Sequence, residues 1–293
     1  MQTLVLAVLL GAVLCLLCGS GQARLRKILK LRPAAVWALP ILLTAAFNGA
    51  ALVARAWNPP LALAVLGYTA APVLSAWLAR HLPGERPSAP DFLTILLIWL
   101  PLEFGAGARL VALPARGFLH SVAYGIAILL GLVLFLCFRG FPGLKFNLPR
   151  NARDAWLPLA GYLLSAPVLI ALGLAVGFIP APHRPMQRAG SMAAAVPVIF
   201  FGTALPEEIL FRSLIQNLLM QRFGANWRTL LVASLIFGSA HLDNGPQALP
   251  NWRYAIVATV AGIAYGAVFQ QASTVLSSSM LHMMVDWTKH FFF

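Results

Sequence analysis

Apolar positions in this chain form long, nearly unbroken runs, with none of the alternation that marks a half-buried strand. Stretches 2–20, 33–54, 58–79, 92–107, 118–138, 157–179, 191–221, 228–243, 254–270 and 274–292 each read as a helix that is hydrophobic on most sides. Such helices belong in a large core or in a bilayer, and a bilayer span takes about 20 mostly apolar residues. The 92–107 segment is short enough to be re-entrant. The fold class this predicts is all-α, a multi-pass transmembrane bundle of about ten helices.

Composition removes the soluble alternative. Of 293 residues, 60% are hydrophobic and 10% are charged, where a soluble domain carries about a quarter charged residues. The lipid bilayer is therefore the first partner. The formal net charge of +13 does not point to nucleic acid, because nothing here resembles a nucleic-acid-binding module and the basic residues fall between spans. Thirteen Lys and Arg, from Arg24 to Arg228, fall on one side of the membrane and seven on the other, with Arg212 alone inside a span. Excess Lys and Arg marks the cytoplasmic face, so both termini are expected outside. The Ala-, Leu- and Arg-rich composition points to a bacterial cytoplasmic membrane. Cys15, Cys18 and Cys137 all lie in apolar runs and read as small buried hydrophobes, with no disulfide or metal framework. Leu17 is too large for a lipid-attachment site at Cys18. The first residues lack a positive n-region, and 2–20 reads as a retained span.

Polar residues are unevenly spread. Residues 1–190 hold few inside their spans and read as a scaffold or access unit, whereas 191–290 hold nearly all the intramembrane ionisable groups and read as the functional core. An ionisable side chain at the bilayer centre costs about 2.5–3.5 kcal/mol on insertion scales. Glu207, Glu208, Arg212, His241, His282 and Asp286 all sit in predicted spans, which points to a use. Glu208 and Arg212 are four apart, on one helix face, and can pair. Glu207 is turned by about 100° and is left for other work. Pro206 removes a backbone donor just before it and can bend the helix. Phe237 and His241 are also four apart, which lines the histidine with an aromatic ring. The same spacing lets Asp286 orient His282 and fix its tautomer. At about 1.5 Å rise per residue, the three helices bring these groups to a similar depth. Gly262 and Gly266 read as helix packing, as do Ser277, Ser278 and Ser279. Glu103 reads as structural, and His81, His120, His183 and His290 as interfacial or solvated.

Three motifs now stand in order on three helices: Glu207-Glu208-Ile-Leu-Phe-Arg212, Phe237-Gly-Ser-Ala-His241 and His282-Met-Met-Val-Asp286. Together they resemble the CPBP family, the CAAX-protease and bacteriocin-processing (Abi) group that includes the type II CAAX prenyl endopeptidase. The resemblance covers 191–290. It implies endopeptidase activity within the membrane on a hydrophobic peptide or membrane-protein substrate. It further implies Glu207 as general base on a water, His241 holding that water, His282 and residue 286 stabilising the oxyanion, and Glu208–Arg212 as the supporting ion pair. The best-known members carry Asn in the third motif; Asp286 can donate only when protonated, or else orients His282. Zn2+ through Glu207, His241 and His282 is a second mechanism these residue types allow, although HExxH spacing is absent and the metal-free mechanism fits equally well. Two other classes stay open on the residues alone: a proton-coupled transporter and a non-catalytic immunity or scaffold protein.

Overall fold

The protein was analysed as a computed structural model, which describes residues 1–84, 86–185, 188–245 and 247–293. Among the described residues it is all helical. The helices are α1 (Gln2–Cys15), α2 (Gly19–Leu31), α3 (Ala38–Val53), α4 (Pro59–Leu78), α5 (Ala89–Glu103), α6 (Arg116–Leu132, extended by a π-turn over Val133–Phe138) and α7 (Arg153–Ala175). They continue with α8 (Ala189–Phe223), α9 (Trp227–Ser239), α10 (Trp252–Gln271) and α11 (Val275–Phe292).

Six of these, with the 3-10 turns Pro33–Trp37 and Ala79–His81 counted into α3 and α4, are long and apolar enough to cross a membrane, and a seventh span arises if α1 and α2 count as one. The expectation of about ten helices is thus close, but the span count is lower for physical reasons. α1 and α2 meet at an 84° bend. The predicted 2–20 span stops at Cys15, and the basic stretch from Arg24 to Lys30, read as a loop, is helical. α9 has 13 residues and α5 has 15. α11 has the length but dilutes its apolar character with His282, Asp286, Lys289 and His290. Large apolar side chains lie exposed along α7, with Leu163 at 72% and Leu164 at 78%, as a lipid-facing surface requires.

Packing divides the chain into two units, Met1–Leu144 and Lys145–Phe293. The polarity boundary near residue 190 and this packing boundary mark different properties: α7 is apolar like the helices before it, yet it packs on α10 and α11. In the first unit α4 packs on α3 and α5, and α6 on α1, α3 and α5. Its polar centre is Arg139, which sequence reading left in a loop. The guanidinium is buried, with Nε 2.7 Å from Asp91 Oδ1, and Nη1 donates to the carbonyls of Ala79 (2.6 Å) and Leu82 (3.0 Å). Asp91 is already fixed by its capping box with Ser88 at the start of α5. Glu103 accepts from Trp99 Nε1 at 2.9 Å, one turn back on α5. Cys137 is buried, whereas Cys15 and Cys18 are exposed beside the α1–α2 bend.

The second unit holds α7 to α11. Asn226, Asn251 and Thr274 cap α9, α10 and α11 by accepting from the backbone of Thr229, Tyr254 and Leu276. Asp154 at the start of α7 accepts from Ser273 N and Oγ at 2.7 and 2.5 Å, and its carbonyl accepts from Ser277 Oγ at 2.8 Å. Lys145 Nζ closes the end of α10 by donating to the carbonyls of Phe269, Gln270 and Ala272 at 2.7–3.0 Å. Burial pushes this ammonium below the ordinary lysine range, against the opposing pull of Asp154. α9 and α10 approach closely, since a Cβ on Gly238 would lie 2.6 Å from the Ala255 carbonyl and overlap Thr259 Oγ1. Gly262 and Gly266 give the same pair its second contact, against Ser234, Phe237 and Leu230, the close approach that small residues permit between membrane helices.

Candidate active site

α8 does not run as a uniform α-helix. π-turns over Phe200–Ala204 and Ile209–Gln216 bracket one regular turn, Leu205–Glu208. Around Pro206 the helix widens into these turns, which absorb a residue without an N–H and occur often at functional sites. They hold Glu207 and Glu208 toward α11.

On α11, His282 stands among three carboxylates. Its Nδ1 lies 3.1 Å from Glu208 Oε1, while its Nε2 lies 3.4 Å from Asp286 Oδ2 and 3.9 Å from Glu207 Oε2. With carboxylate oxygens at both nitrogens, the ring can donate to each only as the imidazolium. Glu208 also meets Arg212 Nε at 3.2 Å, and both side chains are fully buried. Two unlike charges in low dielectric neutralise each other, and an unpaired one there would be costly. The Arg212 guanidinium lies over the Phe237 ring at 4.7 Å, so its remaining face is apolar.

The two glutamates differ in what remains free. Glu207 is 22% exposed through its side chain, and its Oε2 accepts no hydrogen bond among the described residues. Sequence spacing set Glu207 apart from Glu208; instead both face His282, one toward each nitrogen.

His241 departs from expectation in its place. The predicted 228–243 helix ends at Ser239, and His241 lies in the following turn, its amide donating to the Gly238 carbonyl at 3.0 Å. Its Nδ1 lies 2.8 Å from the Phe237 carbonyl, which preserves the four-residue relation across the helix end. Among the described residues it makes no hydrogen bond or ion pair with the glutamates. It joins the cluster through rings, because Phe237 meets His241 edge-on at 4.7 Å and His282 at 5.9 Å. Glu207, Glu208, Arg212, His282 and Asp286 are therefore in direct contact, with Phe237 and His241 attached to them by aromatic packing.

Two residues of the cluster escaped sequence reading. Tyr265 stacks on His282 at 4.5 Å, nearly parallel, and Tyr254 meets His241 at 4.5 Å. Both project from α10, eleven residues or about three turns apart, so they share a face. That spacing, in a helix lying between the two histidine motifs, is the signal that could have found them.

The residue types allow a metal, but their arrangement does not form a site for one. No group of three or more His, Cys, Asp or Glu converges in metal-binding geometry among the described residues. His282 spends both ring nitrogens on carboxylates, and His241 turns Nδ1 to a backbone carbonyl. What the cluster can do is hold a water or a carbonyl oxygen between an unsatisfied carboxylate and a doubly engaged imidazole.

No curated protein and no solved structure matches the chain. A family does: residues 189–288, spanning α8 to α11 and containing all three motifs, match the type II CAAX prenyl endopeptidase, Rce1-like, family. The segment that builds this cluster is thus the part of the chain that is similar to the CPBP group of membrane CAAX proteases.

Proposed function

We propose that the protein is an intramembrane endopeptidase in which Glu207 activates a water against a peptide bond and His282 receives the developing negative charge. The observation that carries this reading is the asymmetry around His282. Glu208 is committed to Arg212 and to His282 Nδ1, whereas Glu207, on the other side of the ring, keeps an oxygen unpartnered. In the reaction, Glu207 takes a proton from water and the hydroxide oxygen bonds to the carbonyl carbon. The tetrahedral oxyanion takes the N–H of His282 Nε2, whose 3.4 Å contact with Asp286 is looser than the 3.1 Å contact of Nδ1 with Glu208, and the C–N bond breaks as Glu207 returns the proton to the departing amine. His241 and Tyr254 form one wall for the water. Asp286 orients His282 through the 3.4 Å contact to Nε2. No metal takes part in this scheme. The substrate is a hydrophobic peptide or a membrane-protein segment, residues 1–190 govern its access, and the setting is a bacterial cytoplasmic membrane.

The test compares peptide ends in membranes carrying the wild-type chain with those carrying Glu207→Gln at matched abundance. New ends confined to wild-type membranes are expected. Indistinguishable sets, with both chains inserted and folded, would overturn the catalytic reading and favour transport or a scaffold role.

A further inference from the structure

The site opens beside Asp286 into a cavity of about 470 Å³, lined among others by Phe178, Gln247, Tyr254, Asp286 and Lys289. Lys289 has no part in the scheme above. It follows His282 and Asp286 on α11 at i+7 and i+3, so all three share one helix face. Its ammonium lies 4.4 Å from the Phe178 ring centre and 4.5 Å from that of Tyr254, and those two rings stack on each other at 4.5 Å. Gln247 holds the arrangement from a third segment, its Nε2 donating to the Phe178 carbonyl at 3.1 Å. The lysine is thus fixed by aromatic faces, is only partly open to solvent, and makes no ion pair among the described residues. Among the described side chains lining the cavity the carboxylate is Asp286, which is engaged by His282 and also attracts Lys289 without closing to an ion pair.

A positioned cation of this kind sits ready to take an anion. An ammonium offers three N–H donors, and ring faces stabilise it without satisfying those donors. The Tyr254 ring that supports Lys289 is the one that touches His241, so the cavity begins where the reacting groups end. About 10 Å of helix rise separates Lys289 from His282, too far for the ammonium to reach the scissile carbonyl and within reach of a neighbouring part of the same peptide.

Resting on the endopeptidase reading, we propose that Lys289 is a specificity-determining residue that binds a carboxylate of the substrate in this cavity. That carboxylate is either the peptide's own C-terminus or an Asp or Glu side chain.

The experiment uses the full chain in phosphatidylcholine vesicles. Its substrate is a peptide spanning a cleavage point found in the wild-type against Glu207→Gln comparison. The peptide is made as the free acid, as the C-terminal amide, and with its Asp and Glu replaced by Asn and Gln. For the wild-type chain, removing the recognised carboxylate raises KM about tenfold and leaves kcat within about twofold, the range of a hydrogen bond to a charged group. Loss with the amide identifies the C-terminus, and loss with the Asn/Gln peptide identifies a side chain. Lys289→Gln raises KM for the acidic peptide to the same extent and no longer distinguishes it from the neutral one, whereas Lys289→Arg keeps the distinction. If the wild-type chain cleaves acidic and neutral peptides alike, the inference fails with the protease reading intact. That comparison needs no variant to fold. It fails equally if Lys289→Gln discriminates as wild type does. Absence of any cleavage by the wild-type chain overturns both readings together.

Discussion

Replacing Arg212 with Met should be among the most damaging single changes in the second unit. The guanidinium and the Glu208 carboxylate are both fully buried, 3.2 Å apart, and Met fills much of the same volume without the charge. Glu208 would then be a buried carboxylate left with His282 Nδ1, at 3.1 Å, and the Ser278 hydroxyl to answer it. Breaking a buried pair from one side costs about 3–5 kcal/mol. The lost contact of Arg212 with the Phe237 face adds to that. Removing both charges is different. Glu208→Leu with Arg212→Met leaves an apolar contact, and replacements of that kind are often neutral or stabilising. The double variant should therefore be more stable than Arg212→Met alone, by about 2 kcal/mol or more, the scale of coupling between contacting residues. Unfolding in mixed micelles of dodecyl maltoside and sodium dodecyl sulfate, followed by fluorescence of the eight tryptophans, reads each free energy. If Arg212→Met costs under about 1 kcal/mol, the size of a surface pair, then the pair does not sit in low dielectric and the argument from burial is wrong. Recovery of stability in the double variant should come without recovery of proteolysis, because His282 loses the carboxylate that fixes its Nδ1 side.

Two further substitutions probe positioning and packing. Asp286→Asn keeps an oxygen to accept from His282 and gains a donor for an oxyanion, so turnover should stay within about tenfold of wild type, whereas Asp286→Leu should lose about 10²–10³ in kcat, the scale of one oxyanion-site donor. Equal damage from both would mean that the ionised carboxylate itself is needed. Gly238→Ala should destabilise the protein by about 1–3 kcal/mol through overpacking, since its methyl meets the Ala255 backbone carbonyl at 2.6 Å and backbone cannot turn aside as a side chain can. Wild-type stability of this variant in the same micelle titration would show that α9 and α10 are less tightly apposed.

Much of this architecture could be read from residue spacing. Continuous apolar runs gave the helical membrane class, and four-residue separations gave the Glu208–Arg212 and His282–Asp286 contacts, because neighbours on a helix face are a local property. What escaped depends on how helices meet. The turn that holds His241 outside α9 is set by Gly238 backing onto α10 and by Asn251 N donating to Leu242 O at 2.5 Å. No periodicity in 228–243 reports either contact. The π-turns of α8 were equally silent, since Pro206 signals an interruption but not its form. Tyr254 and Tyr265 look like ordinary apolar filling of α10 until the two histidines are placed beside them. The α1–α2 bend was partly legible, since a segment carrying Arg24, Arg26, Lys27 and Lys30 could not continue into the bilayer, yet its charge was mistaken for lack of structure.

The placement of the two glutamates ties these levels together. Adjacent residues on a helix differ by about 100° in direction, and the two carboxylates approach His282 from different sides. His282 meets Glu208 at Nδ1 and lies nearer Glu207 at Nε2. The side toward Nδ1 is closed by Glu208 and Arg212, both fully buried, while Tyr265 covers a face of the ring. The side toward Nε2 leads past Asp286, 31% exposed through its side chain, to the cavity. A carboxylate on the closed side can only hold the ring, since neither water nor substrate reaches it there. A carboxylate on the open side can exchange protons with what enters. In the proposed reaction, the division of labour between Glu207 and Glu208 follows from a single step along one helix and from which side of His282 the surrounding helices seal.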